Sequence, residues 1–163
     1  MKKWLYPVLL LVIISALVFI CYSFFGKNFS VTGKINVNGE DIADKTATIY
    51  IHKKYAVVPL TEVFKGLGYS VEWTNNNTAY IVVDENRYIL ELNGEASLKK
   101  DGDDSNLIIP PPGSTTFYSQ VIEGELFLDS DTVGSILLFM GKSVYIHIDY
   151  DNAVIYITAE KAQ

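Results

Sequence analysis

The sequence predicts an α+β fold: two tandem repeats of antiparallel β-strands with one short helix each, after an N-terminal transmembrane helix. Three observations carry this expectation. The run from Trp4 to Phe25 holds no charged residue, an apolar helical stripe at Leu60–Leu67 returns 73 positions later, and an Asn-Gly pair precedes each copy, at Asn38–Gly39 and Asn93–Gly94.

About 20 apolar residues suffice to cross a hydrocarbon core of roughly 30 Å. Lys2 and Lys3 precede the uncharged run, and the positive-inside bias then puts the N-terminus in the cytoplasm and the chain after Lys27 outside. Residues 1–27 are accordingly expected to be a cytoplasmic tip and a single-pass signal-anchor in the cell membrane, with the C-terminal domain extracytoplasmic. A cleaved signal peptide would need small residues at its exit, where "FICYSFFG" stands, and a lipoprotein would need a small residue before Cys21, where Ile20 stands. Cys21 is the only cysteine, so no intrachain disulfide forms, and it reads as a small apolar residue of the span.

The first repeat is expected over residues 28–87 and the second over 88–163. Leu60, Val63, Phe64 and Leu67 stand at i, i+3, i+4 and i+7, and Val133, Ile136, Leu137 and Met140 repeat that spacing. Each set makes one apolar stripe on a two-turn helix. Pro59 starts the first helix and Ser130 with Asp131 the second, while Gly68 and Gly141 stop them. A strand, a polar turn and another strand follow each helix, as "SVEWTNNNTAYIVV" and "SVYIHIDYDNAVIYIT". Asn-Gly between alternating apolar residues marks a hairpin, because both positions accept positive φ. Trp73 and Tyr80 are expected to face each other near the first hairpin.

The Asn-Gly turns lie 55 residues apart and the helices 73, so the second repeat carries about 18 extra residues, in "KKDGDDSNLIIPPPGSTTFYSQ" at 99–120. Three prolines in a row cannot continue a ladder, so Leu107, Ile108 and Ile109 either tuck onto the core or stand exposed as a contact patch. Loops on rigid frames commonly carry binding function. Leu107, Ile108, Ile109, Pro110, Phe117 and Tyr118 are therefore the candidate partner-binding residues, the alternative being that they only cap an open sheet edge.

Val58–Pro59–Leu60 entering a helix, Gly66–Leu67–Gly68 leaving it, Val71–Glu72–Trp73 on the next strand and Tyr80–Val83 closing the unit carry a family resemblance. Residues 35–83 resemble the copper amine oxidase N-terminal-like, or stalk-type, domain of Gram-positive envelope proteins. The second copy departs from the pattern, with Asp131–Thr132–Val133 in place of Val-Pro-Leu. The resemblance implies an α+β module whose matching residues are folding residues. No copper site carries over, because the namesake enzymes' copper chemistry lies in another domain.

Charge and chemistry narrow the function classes. Three of the 13 Lys and Arg flank the anchor, leaving 10 against 19 Asp and Glu, and a surface near −9 suits neither nucleic acid nor anionic headgroups. No nucleophile elbow, phosphate loop or extracytoplasmic cysteine nucleophile is present in the sequence. "DGDDSN" lacks the glycine and glutamate spacing of an EF-hand and reads as a solvated loop. His147, Asp149 and Asp151 alternate on a strand and could share a face. They define the alternative, a metal-dependent or accessory enzyme domain. The main expectation is a membrane-tethered, extracytoplasmic, non-catalytic binding or scaffold module of the bacterial cell envelope, needing no cofactor and contacting an envelope protein or cell-wall glycan. The eleven tyrosines would suit such a surface, being apolar with a polar tip.

Overall fold

The computed structural model describes residues 11–17, 30–51, 54–75, 78–92, 96–109 and 119–160. In chain order the elements are α1 (residues 11–17), β1 (Ser30–Val37), β2 (Glu40–Asp41), β3 (Ala47–Tyr50), β4 (Tyr55–Pro59), α2 (Leu60–Gly66), β5 (Ser70–Asn75), β6 (Thr78–Val83), β7 (Asn86–Leu92), β8 (Ala96–Lys100), β9 (Asn106–Ile109), β10 (Ser119–Ile122), β11 (Glu125–Asp129), α3 (Ser130–Phe139), β12 (Val144–Asp149) and β13 (Val154–Ala159). One sheet runs β10-β11-β4-β3-β1-β13-β12, with β2 hairpinned onto β1, and the other runs β5-β6-β7-β8-β9.

This corrects the expected fold class. Of the described residues, 55% are in strands and 20% are helical, in a mostly β architecture of two sheets rather than two α+β repeats in tandem. The repeated local unit exists, since α2 leads into the β5–β6 hairpin and α3 into the β12–β13 hairpin. What differs is where the strands pair. A hairpin uses one edge of each strand and leaves the other open to any strand with a matching apolar face. β6 continues into β7 and the second sheet, whereas β13 takes β1 as a parallel neighbour, from Lys34 opposite Val154 to Val37 opposite Ile157. Ile35 and Val37 are buried in step with Ile155 and Ile157, so a strand from the start of the chain completes the sheet at its end.

The expected transmembrane helix is not among the described elements either. Residues 11–17 are helical, and Leu11, Val12, Ile13, Ile14 and Leu17 are all exposed. Among the described residues no helix is long and apolar enough to cross a membrane, and the rest of the run from Trp4 to Phe25 lies outside them.

The helix stripes and stops hold as read. Leu60, Val63, Phe64, Leu67, Val133, Ile136 and Leu137 are fully buried. Gly68 and Gly141 adopt φ of 84° and 76°. After α2 the N–H groups of Gly68 and Tyr69 donate to the carbonyls of Lys65 and Phe64, at 2.9 and 2.8 Å. After α3 those of Gly141 and Lys142 donate to Leu138 and Leu137, at 2.9 and 3.0 Å, so both helices end in the Schellman pattern. The start of α3 is shifted by one residue from expectation. Asp129 is the N-cap, its carboxylate accepting from the Thr132 N–H at 2.9 Å and the Thr132 hydroxyl at 2.7 Å.

Asn38 and Gly39 have φ of 51° and 89°, as a two-residue type I′ hairpin requires. The Asn38 side chain then does what no turn rule foresees. Its amide donates to the Ala159 carbonyl at 2.9 Å and accepts from the Ala159 N–H at 3.0 Å, prolonging the β1–β13 ladder by one rung. Residues 93–95, which hold the second Asn-Gly pair, lie outside the described residues, though β7 and β8 pair up to Leu92 and Ala96. Trp73 stands opposite Ala79, and Tyr80 opposite Glu72. The expected Trp73–Tyr80 facing pair is therefore corrected, because a one-residue offset in register sends the two rings to opposite faces.

Both helices lie on the first sheet, α2 against β1, β4 and β11 and α3 against β4, β11 and β12, and the second sheet closes over them through β5 and β9. The result is one continuous core that includes Ala79, Ile81, Leu90 and Leu98 from the second sheet and Ile35, Ile49, Val58, Leu128 and Ile155 from the first. Gly33 shows how closely the strands approach: a methyl group there would stand 2.7 Å from the Ala153 carbonyl oxygen, which already accepts from the Lys34 N–H at 2.8 Å.

A polar clamp joins the sheets at one end. Lys142, 9% exposed, donates to the carboxylate of Asp84 in the β6–β7 turn, and its ammonium lies 6.0 Å from the centre of the Tyr69 ring. The Tyr69 hydroxyl donates to the Glu160 carbonyl. The hydrogen bond to Asp84 holds the Lys142 ammonium above the ordinary lysine value of 10.5, and burial pushes the hydroxyls of Tyr69 and Tyr88 up from 10.0. All three raised values make the folded state hold protons that the unfolded chain releases. Their stabilisation is complete below about pH 10 and is lost as pH rises through the folded values. Asp84→Asn is expected to cost about 1.5–3 kcal/mol at neutral pH, because it weakens a charge-assisted bond to a buried ammonium. It should also flatten the alkaline decline of stability. Urea titrations at several pH values check this, and an unchanged alkaline slope would show that the clamp is not what titrates.

Candidate binding face

β12 ends the first sheet, and β13 lies between it and β1. Period 2 turns Ile155 and Ile157 of β13 into the core and Tyr156 and Thr158 outward, and on β12 it turns Tyr145 and His147 outward. His147 stands directly opposite Tyr156, and Tyr145 opposite Thr158. The imidazole lies between two phenol rings. It is 6.4 Å from Tyr145 at an interplanar angle of 14° and 6.1 Å from Tyr156 at 22°. Tyr145 is 65% exposed and Tyr156 37%, so this three-ring ladder stands in contact with solvent.

Polar groups continue the row across the sheet. Asn36 is the β1 neighbour of Tyr156, and its amide donates to the Asp41 carboxylate of β2 at 2.6 Å. On the same outward face, Tyr50 of β3 and Tyr55 of β4 stand opposite each other with ring centres 4.9 Å apart. The face thus sets aromatic surface beside hydrogen-bonding groups, the combination that amphipathic ligands such as sugars or peptide backbones can use.

The metal-ligand alternative meets a different local structure. β12 stops at Asp149, and the chain turns through Tyr150–Ala153 before β13. His147 and Asp149 share the strand face, but Asp151 lies in the turn, where alternation no longer applies. The Asp149 carboxylate accepts from the N–H groups of Asp151 and Asn152 at 3.1 and 3.0 Å and from the Asn152 amide at 2.8 Å. These bonds, the Asn152 amide first, hold its carboxyl below the usual carboxylate range. Among the described residues no group of three His, Cys, Asp or Glu is placed to hold a metal ion.

The insertion residues are divided by strand geometry. Asn106–Ile109 form β9, which pairs with β8 and ends the second sheet. Leu107, opposite Leu98, packs against the core, while Ile108, opposite Ser97, is 44% exposed. The two expected alternatives, tucked or exposed, are thus both realised on neighbouring residues, because successive strand positions face opposite ways. Ile109 stands in register with Ala96, and Pro110, Phe117 and Tyr118 lie outside the described residues. Of the "DGDDSN" segment, Asp101–Ser105 link β8 and β9 as an exposed loop, with the Asp103 carboxylate accepting from the Ser105 N–H at 3.0 Å, and Asn106 begins β9.

The chain matches no protein-family model, no curated protein and no solved structure. The ladder was only half legible beforehand. Period 2 along β12 marks Tyr145 and His147 as neighbours, but the third ring needs the β12–β13 register, which the hairpin turn sets.

Proposed function

We propose that this protein is a non-catalytic binding module of the bacterial cell envelope that holds cell-wall glycan on the outward face of β12 and β13. The observation that carries the reading is the exposed Tyr145–His147–Tyr156 ladder flanked by the polar groups of Asn36 and Thr158. Parallel aromatic rings offer flat apolar surface to the CH faces of sugars, and the neighbouring amide and hydroxyl suit their OH groups. The stalk-type resemblance of residues 35–83 agrees with an envelope location. So do Lys2 and Lys3 before the uncharged run from Trp4 to Phe25, which would tether the domain outside the membrane in a single pass. An acidic domain avoids anionic lipid and is free to present a neutral ligand face.

The test uses the full chain in detergent and purified cell-wall glycan in a sedimentation assay. The wild type should co-sediment, and Tyr145→Ala with Tyr156→Ala should weaken binding at least about tenfold, since each aromatic contact contributes about 0.5–1.5 kcal/mol beyond its area. Equal binding by the double variant sinks the ladder as the site. Absence of glycan binding, with capture of an envelope protein on crosslinking in intact membranes, would move the ligand to protein.

A further inference from the structure

Apart from the two-residue β2, four strands end the two sheets among the described residues: β10 and β12 in the first, β5 and β9 in the second. Natural edge strands are blunted by charge, proline or bulges, because an open row of N–H and C=O groups invites another strand. β5 carries Glu72 and a register shift between Trp73 and Asn75, Pro110 follows β9, and β10, though uncharged, is exposed at all four residues and has no half-covered core side. β12 has no proline and no bulge, and its one carboxylate, Asp149, stands at its end. Its six residues pair regularly with β13 from Val144 to Asp149, and no charged residue occurs from Ser143 to Ile148.

Its apolar side chains are also incompletely covered. Val144, Ile146 and Ile148 point toward the core yet are only half-buried, whereas Ile155 and Ile157 beside them are fully buried. Beneath the strand runs α3, where a methyl group on Gly134 would touch Ile146 at 3.4 Å. One turn further on the same helical stripe is Leu138, 62% exposed. Apart from α1, Tyr145 and Leu138 are the two most exposed large hydrophobic residues among those described, and they flank the same strand on its two faces.

We propose that β12 pairs with β12 of a second copy of this chain, antiparallel about a twofold axis through Ile146, to make one sheet continuous across a dimer. The edge is self-complementary in that register. Val144 falls opposite the partner's Ile148 and Ile146 opposite the partner's Ile146 on the core side, with Leu138 of each copy beneath the seam. On the outer side Tyr145 falls opposite the partner's His147, and Asp149 meets the partner's Ser143, so no two carboxylates oppose. The register favours a second copy as the occupant. It sets apolar residues opposite apolar ones along the strand and places Asp149, the one carboxylate of β12, opposite the uncharged Ser143, so two acidic copies can meet without opposing carboxylates. Closed twofold pairing also removes the open edge without building a fibre.

The pairing would complete the ladder, because the partner's Tyr145 continues the row that begins at Tyr156 and His147. Dimerisation does not rest on glycan binding, and its test needs no ligand. Sedimentation velocity of the full chain in detergent should show a dimer. Tyr145→Asp with His147→Asp should weaken association at least about tenfold by setting like charges opposite each other, and so should Tyr145→Lys with His147→Lys. Mixing the two variants should restore a dimer, since acidic and basic edges then oppose. Circular dichroism of each variant confirms that these exposed substitutions leave the fold intact. A monomeric wild type overturns the proposal. So does a dimer that survives both charge variants, which would place the contact elsewhere, or a mixture that stays monomeric.

Discussion

Replacing Phe64 with alanine is expected to destabilise the protein by about 3–5 kcal/mol, the loss typical of a buried phenylalanine. Its ring is fully buried on α2 and meets Tyr69 edge to face, with centroids 5.8 Å apart. The surroundings cannot collapse easily to fill the space. Phe64 lies on α2, which packs against both sheets, and its carbonyl also accepts the Tyr69 N–H that closes the helix. Tyr69 in turn holds Glu160 at the end of β13, so slackening the ring contact loosens the C-terminal strand as well. Urea unfolding measures the loss, and a cost below about 1 kcal/mol would mean that Phe64 is not core.

Leu137→Ala is expected to cost about 2–5 kcal/mol by the same reasoning, since Leu137 is fully buried on α3. The informative part is the shape of the unfolding curve. Two tandem repeats with separate cores would melt in two steps, with Phe64→Ala lowering one and Leu137→Ala the other. Here both side chains belong to one core cluster spanning both sheets. Each substitution should therefore lower the midpoint of the same single transition. A calorimetric trace in which the variants affect different transitions would restore independent units.

Local signals were legible in the sequence, and long-range pairing was not. The helical stripes, the glycine stops and the Asn38–Gly39 hairpin were readable because each depends on a few adjacent residues. Turns at Asp84–Glu85, with φ of 48° and 67°, and Glu123–Gly124, with φ of 52° and 81°, use the same backbone geometry. They are harder to read than Asn-Gly because each places a glutamate, which is not a usual turn residue, at a position of positive φ. Nothing within eight residues of β1 specifies that it should pair with β13. That partnership depends on matched alternation at opposite ends of the chain, and a similar alternation in β6 leads into another sheet. Proline content suggested a loop throughout 99–120, yet "NLII" before the prolines has strand alternation and forms β9. The candidate face suffered from the same gap, since His147 and Tyr156 become neighbours only once the β12–β13 register is known.

The parallel pairing of β1 with β13 also has a meaning in time. Lys34 and its register partner Val154 are 120 positions apart. At a synthesis rate of about 5–20 residues per second, β1 waits on the order of ten seconds before its neighbour exists. During that interval β3 can pair with β1 on one side, but the other side is an open template, and contacts of such long sequence separation form late. β13, the last strand among the described residues, thus belongs in the interior of the sheet, between β1 and β12. A chain that stopped before Val154 would lack the one strand that, among those described, pairs with both, leaving β12 without its sheet and Asn38 without the backbone that its amide holds. Closure of the first sheet therefore waits for Val154–Ala159, and until that segment exists the free edge of β1 is open to other strands.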